Sequence, residues 1–131
     1  MRHYSETLEV CQDDLDELDH VNNVRYVQWI QDISKNHWFA ATTEQMRQTM
    51  IWVVKNHNIS YHQPAILGDV VSVQTHIQEN KGPLSIRIVE IRNNKTGQLL
   101  VSASTEWCLL DATTFRPKRV PESVTALFQK E

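Results

Sequence analysis

Two periodicities divide this chain. From residue 23 apolar side chains recur every three to four positions. Tyr26, Val27, Ile30, Ile33, His37 and Trp38 fall on one side of a helix, and Arg25, Gln28, Asp32 and Lys35 on the other. Asn22 or Asn23 is a good N-cap and nothing before Thr42 breaks the run, which predicts one helix of about four turns. A shorter helix through TTEQMRQT is expected after it. Elsewhere the period falls to two. HYSETLEV alternates as a first strand, and IWVVKNHNISYH, rich in β-branched and aromatic residues, is a second that ends at Pro64. After the LGD turn, VVSVQTHIQE puts Val71, Val73, Thr75 and Ile77 on one face. Beyond NKGP, the strand LSIRIVEIR switches its apolar parity between Ile88 and Val89, which predicts a bulge. NNKTGQ turns into LLVSASTEWCLLD, with Leu99, Val101, Ala103, Thr105, Trp107 and Leu109 facing one way, and FRPKRVPESV reads as a basic tail.

The order is strand, long helix, then four long strands joined by short turns, and short turns impose antiparallel neighbours. One helix with a mixed apolar stripe needs a large sheet to cover it. An α+β fold follows: a curved antiparallel sheet of about five strands wrapped around one long central helix. No repeat, low-complexity tract or linker interrupts the 131 residues, so one domain is expected over 1–131. Such a sheet leaves an edge open, and the chain is expected to pair with itself as a homodimer or homotetramer.

Composition narrows the function. A formal charge of -3 argues against a nucleic-acid or membrane-surface partner, either of which would want a basic stripe. No apolar run approaches the ~20 residues needed to cross a bilayer. MRHYSETLEV lacks the apolar segment of a signal peptide, so a cytoplasmic protein is expected, with Cys11 and Cys108 as thiols. The six histidines are scattered without metal-ligand spacing, and His57 and His62 point to opposite faces of a strand, so neither a metal nor another cofactor is expected.

The chemistry concentrates in one stretch, DDLDELDHVNNVRYVQWI. Asp13, Asp14, Asp16, Glu17 and Asp19 crowd directly ahead of the long helix. One carboxylate would complement a helix N-terminus, and five repel one another. Either the loop is simply solvated, or one acid is held there for a task.

That stretch resembles the D-x-D-x-x-x-H-V-N-N-x-x-Y-x-x-W segment of hotdog-fold thioesterases, which include acyl-CoA thioesterases of the 4-hydroxybenzoyl-CoA thioesterase type and acyl-ACP thioesterases. The likeness continues through NISYHQPAILGDVVSV and RPKRVPESV, in order along nearly the whole chain. It implies that Asp16 stands at the family's catalytic carboxylate, and that the backbone N–H of Asn23 points at the thioester carbonyl oxygen. Two positions depart from the pattern. Asp19 replaces a residue that is usually glycine in bacterial members, and Asp tolerates left-handed backbone angles. Leu18 replaces an asparagine of the plant acyl-ACP enzymes, so no polar side chain acts there.

Thioester hydrolysis needs a nucleophile or a base for water, and a donor for the oxyanion. A helix N-terminus supplies unpaired N–H groups without any special side chain. Asp16 would be base or nucleophile, or a mere cap; Asp13, Asp14 and Glu17 read as mostly solvated. His20 polarises the acid or a water, or hydrogen-bonds the loop backbone. Asn22 and Tyr26 are substrate-site candidates as helix cap and pocket wall. Arg116, Lys118 and Arg119 suit the phosphates of coenzyme A or an acidic carrier protein, or are solvated; Lys81, Arg87 and Arg92 are further phosphate candidates. The expected activity is an acyl-CoA thioesterase. Its rivals are an acyl-ACP thioesterase and a hotdog module that binds acyl thioesters without cleaving them.

Overall fold

The computed structural model describes residues 2–129. The elements run β1 (Tyr4–Glu9), a 3-10 turn at Gln12–Asp14, α1 (Asn23–Ala41), α2 (Glu44–Thr49), β2 (Met50–Tyr61), β3 (Val70–Lys81), β4 (Leu84–Asn93), β5 (Leu99–Asp111) and α3 (Glu122–Gln129). The five strands form one antiparallel sheet in the order β1-β3-β4-β5-β2, which leaves β1 and β2 as its edges. This is the wrapped sheet and central helix that the two periodicities predict.

The helix stripe and the strand alternation meet where expected. Tyr26, Trp29, Ile30 and Ile33 of α1 pack on Val71, Val73, Val89, Ile91, Val101 and Ala103. Ile30 and Ile91 are fully enclosed, each stabilising the fold by about 1.5–3 kcal/mol. A second cluster, around Met50, Ile77 and Leu109, forms at the far end of α1. It is closed by Val124 and Phe128 of α3, a helix the basic-tail reading of the sequence overlooks.

The bulge expected between Ile88 and Val89 is absent. In β4 the buried residues are Ser85, Arg87, Val89 and Ile91, an unbroken alternation. Two polar residues occupy inward positions while Ile86 and Ile88 face outward half-buried, so hydrophobicity misreports the parity. Register shifts fall instead between Ile77 and Glu79, between Ile91 and Arg92, and between Val54 and Asn56.

Candidate active site

Before α1 begins, the acidic loop folds back on itself. Asp14 O accepts from Asn22 N–H at 2.8 Å, His20 O accepts from Asp16 N–H at 2.8 Å, and Leu15 bridges Val21. The reversal passes through Asp19 at φ 59°, a left-handed conformation that costs most residues about 1–2 kcal/mol and that Asp adopts more readily. The fold-back lays Asp16 alongside the residues that lead into the helix.

Asp16 divides its carboxylate between two environments. Oδ1 accepts from Leu18 N–H at 2.9 Å and His20 N–H at 3.2 Å, which holds the loop. Oδ2 has no partner among the described residues, and the side chain is half-buried. Asn22 is the N-cap: its Oδ1 accepts from Val24 N–H at 3.0 Å, and its carbonyl takes Arg25 N–H at 2.9 Å. The N–H of Asn23 finds no acceptor among the described residues, so an open donor stands at the positive end of a 19-residue helix.

The neighbouring acids differ from the solvated reading in one case. Asp14 is not solvated: Oδ1 pairs with Arg25 Nε at 3.0 Å and Oδ2 accepts from Cys11 N–H at 2.8 Å. The Asp14–Arg25 pair ties the acidic loop to the first turn of α1. Asp13, Glu17 and Asp19 are exposed.

Tyr26 lies under the site rather than on its surface. It is 2% exposed, and its hydroxyl accepts from Ala65 N–H at 3.1 Å. Ala65 O in turn accepts from Val21 N–H at 3.0 Å, and His20 bridges Ile66. These bonds clamp the β2–β3 connection to the start of α1. Burial raises the Tyr26 pKa above 10.0, against the lowering effect of the Ala65 bond, and the nearby charges of Asp69 and Asp16 add to the rise. The ring of His20 is half-buried and makes no hydrogen bond among the described residues. Leu18, Val24, Ile66 and Leu67 leave an exposed apolar rim around this end of the helix.

The basic tail sits elsewhere. Lys118 N–H donates to Leu109 O at 2.9 Å, Asp111 N–H to Arg116 O at 2.9 Å, and Val120 N–H to Gly82 O at 2.9 Å, all at the β3–β4 turn end of the sheet. The Asp16 loop joins the sheet at the other end of β3, a strand of 12 residues and so roughly 40 Å of chain at about 3.3 Å per residue. Within one chain, then, Asp16, His20, Asn22, Asn23 and Tyr26 come together, and Arg116, Lys118 and Arg119 do not join them. Of the other cations proposed for phosphate, Lys81 is exposed and Arg92 pairs with Glu90 at 3.4 Å. Arg87 is withdrawn from that role, because it is buried on the inner face of the sheet.

Comparison with known proteins places this geometry. The sequence model of the acyl-ACP thioesterase N-terminal domain matches residues 1–128. A palmitoyl-acyl carrier protein thioesterase of Gossypium hirsutum is 30% identical over 86 residues, 66% of this chain and 21% of the relative. The acyl-CoA thioester hydrolase YbgC of Escherichia coli is 28% identical over 88 residues, 65% of this chain and 63% of the relative. The chain thus spans about a fifth of the cotton protein's length. The crystal structure of a 1,4-dihydroxy-2-naphthoyl-CoA thioesterase from Synechocystis superposes with a TM-score of 0.84 at 16% identity, covering 97% of this chain and 96% of that one, which makes the wrapped sheet a hotdog fold.

Proposed function

The chain belongs to the acyl-ACP thioesterase N-terminal domain family, and from that premise we propose that it is a thioester hydrolase acting on an acyl-CoA. One observation carries the reading: a carboxylate with one anchored and one open oxygen lies in the loop leading to an unpaired N–H at the start of a long helix. The carbonyl oxygen of the thioester lies at Asn23 N–H. Asp16 Oδ2 takes a proton from water as the water oxygen adds to the carbonyl carbon, or itself adds to that carbon and forms an anhydride that water then opens. The negative charge gathers on the carbonyl oxygen at the helix terminus, where the aligned backbone dipoles favour it. Collapse re-forms the C=O bond, breaks the C–S bond and returns a proton to the departing thiolate, leaving free acid and CoA. His20, beside Asp16, orients that carboxylate or the water. Asn22 holds the helix terminus in place, and Tyr26 supports the pocket wall from beneath.

A carrier-protein substrate is the second reading, favoured by the matched family and by the cotton relative. We further propose one hotdog domain over 1–131, of which residues 1, 130 and 131 lie outside the described ones, that pairs with itself as a homodimer or homotetramer through an open edge of the sheet and works in the cytoplasm. No described helix is long and apolar enough to cross a membrane. In such an assembly, the Arg116, Lys118 and Arg119 that reach substrate phosphates belong to the second copy.

The test is thiol release from acyl-CoAs of graded length, aromatic acyl-CoAs and acyl-carrier proteins. Asp16→Asn retains an oxygen that accepts the Leu18 and His20 N–H bonds, so the loop persists while basicity is lost. The kcat should fall on the order of 10²- to 10⁴-fold. Asn23→Ala spares the backbone donor and should cost little, whereas loss of an oxyanion donor costs about 10²- to 10³-fold. Near-parent turnover by Asp16→Asn would sink the mechanism. Damage from Asn23→Ala equal to that from Asp16→Asn, with the fold intact, would transfer the oxyanion role to a side chain.

A further inference from the structure

The inner face of the sheet holds a cation that thioester hydrolysis does not use. Arg87 is 5% exposed, in a β4 position whose inward neighbours are Ser85 and Val89. Its Nη1 donates to His37 Nδ1 at 2.8 Å and to Thr75 Oγ1 at 3.1 Å, and no acid pairs with it among the described residues. Burial pushes its pKa down to about 9, which leaves it charged at neutral pH. An enclosed charge without a counter-charge is costly, and an anion is what would offset it.

The surrounding groups have donors to spare. Because His37 Nδ1 accepts from Arg87, the proton of that neutral ring is on Nε2. His37 Nε2 and Trp107 Nε1 are both buried without a partner among the described residues, and so is the oxygen Asn80 Oδ1. Arg87, Trp107 and Asn80 line one cavity of about 420 Å³ between α1, the inner face of the sheet and α3, a size suited to a small organic ligand. Aromatic rings wall it. Trp38 stacks on Phe128 with centroids 6.0 Å apart and meets Trp52 edge-on at 5.7 Å. Asp32 is the acid among the lining residues; it is exposed and bonded to Gln28 Nε2 at 2.8 Å, at the rim rather than the interior.

We propose that this cavity binds a molecule with an apolar or aromatic body and a carboxylate, the carboxylate seated on Arg87 and Trp107 Nε1–H and the body between Trp38, Trp52 and Phe128. Asn80 Oδ1 takes a water or a hydroxyl of the same ligand. Two sources carry that chemistry: a free carboxylic acid, and an acyl thioester with a second carboxylate at its distal end. The binding itself does not rest on the hydrolysis reading.

Calorimetric titration of the full chain with 2-naphthoate and with 2-naphthylmethanol, a neutral molecule of similar size, tests it. At pH 7 the carboxylate should bind about tenfold or more tightly than the alcohol, as a charge-assisted pair requires. Arg87→Gln should erase the preference, and Trp107→Phe should weaken naphthoate severalfold. Equal affinities in the parent chain, no binding of naphthoate at millimolar concentration, or a preference that survives Arg87→Gln overturns the proposal. The parent-chain comparison and Trp107→Phe decide it even if Arg87→Gln does not fold. In a second arm, an Arg87-dependent gain in kcat/KM for an ω-carboxylated acyl-CoA over the plain acyl-CoA of equal length assigns the distal carboxylate. Naphthoate binding without that gain assigns the free acid. Naphthoate binding with no hydrolysis of any thioester defeats the hydrolysis reading and sustains this one.

Discussion

Tyr26→Phe removes one oxygen, and its effect can be worked from the structure. The lost hydroxyl accepts from Ala65 N–H at 3.1 Å, and Ala65 is 0% exposed. Phenylalanine fills the same space but leaves a buried N–H without an acceptor, a loss of about 1–3 kcal/mol. Unfolding entropy near 60 °C is about 2.1 cal/mol/K per residue, hence about 0.28 kcal/mol/K for 131 residues. The melting temperature should therefore fall by roughly 4–11 °C, read by scanning calorimetry at fixed protein concentration. Neither Asp16 Oδ2 nor Asn23 N–H is touched, so kcat at 25 °C should change only a few-fold. The alkaline limb should change as well. A phenol with a raised pKa keeps its proton in the folded state above pH 10.0, where the unfolded chain loses it. That stabilisation is complete below pH 10.0 and lost as pH rises through the folded value, and the Phe variant should lack this loss. A melting temperature within about 1 °C of the parent would show that the Ala65 bond does not hold the helix start. A hundredfold kcat loss in folded Tyr26→Phe would mean that the hydroxyl meets the substrate.

Three further outcomes follow from the same geometry. Burial, then the Arg87 and Arg2 charges, lower the His37 pKa from 6.5 to about 3, so below pH 6.5 the unfolded chain takes up a proton that the folded chain refuses. Stability should fall as pH drops through that window, on the order of 1 kcal/mol per unit; urea midpoints from pH 7 to 4 should show a shallower slope in His37→Gln, and equal slopes would refute the assignment. Asp19→Gly relieves the left-handed strain at φ 59° and should leave the urea midpoint unchanged or raised, whereas Asp19→Val should lose about 1–2 kcal/mol; the reverse order would sink that reading of the turn. Light scattering at micromolar concentration should give at least the dimer mass, and a species of monomer mass alone would remove the edge pairing.

Most of the fold was legible because apolar periodicity and inward packing coincide. In β3 the expected face, Val71, Val73, Thr75 and Ile77, is the buried one. In α1 the expected stripe includes the buried Tyr26, Ile30, Ile33 and His37. Reading failed where a polar residue took an inward place. Arg87 sits among core positions, so in the sequence Ile86 and Ile88 take the place of an inner face, and only a bulge reconciles them with Val89. The helix α3 escapes the pattern for a related reason: with eight residues just after Pro117, Pro121 and a cluster of cations, its buried stripe amounts to Val124 and Phe128. Its stability comes from docking onto Trp38 and His37, contacts that local sequence does not report.

The candidate site was legible as a motif but not as a geometry. Asp16 had two readings, a loop cap or a reactive carboxylate, and a sequence presents these as alternatives. A carboxylate has two oxygens, however, and here they divide: Oδ1 accepts two loop N–H groups while Oδ2 has no partner among the described residues. Capping then fixes the direction of the open oxygen, and preorganisation of that kind is what a base or nucleophile beside a helix terminus requires. The same logic explains why the acids crowd there. Asp14 anchors the loop to Arg25 on the helix, Asp19 makes the reversal, and Asp16 ties the loop's backbone together through Oδ1. Breaking the Asp14–Arg25 pair with Asp14→Ala should therefore lower kcat while leaving KM nearly unchanged, because it loosens the loop that holds Asp16 without touching the substrate.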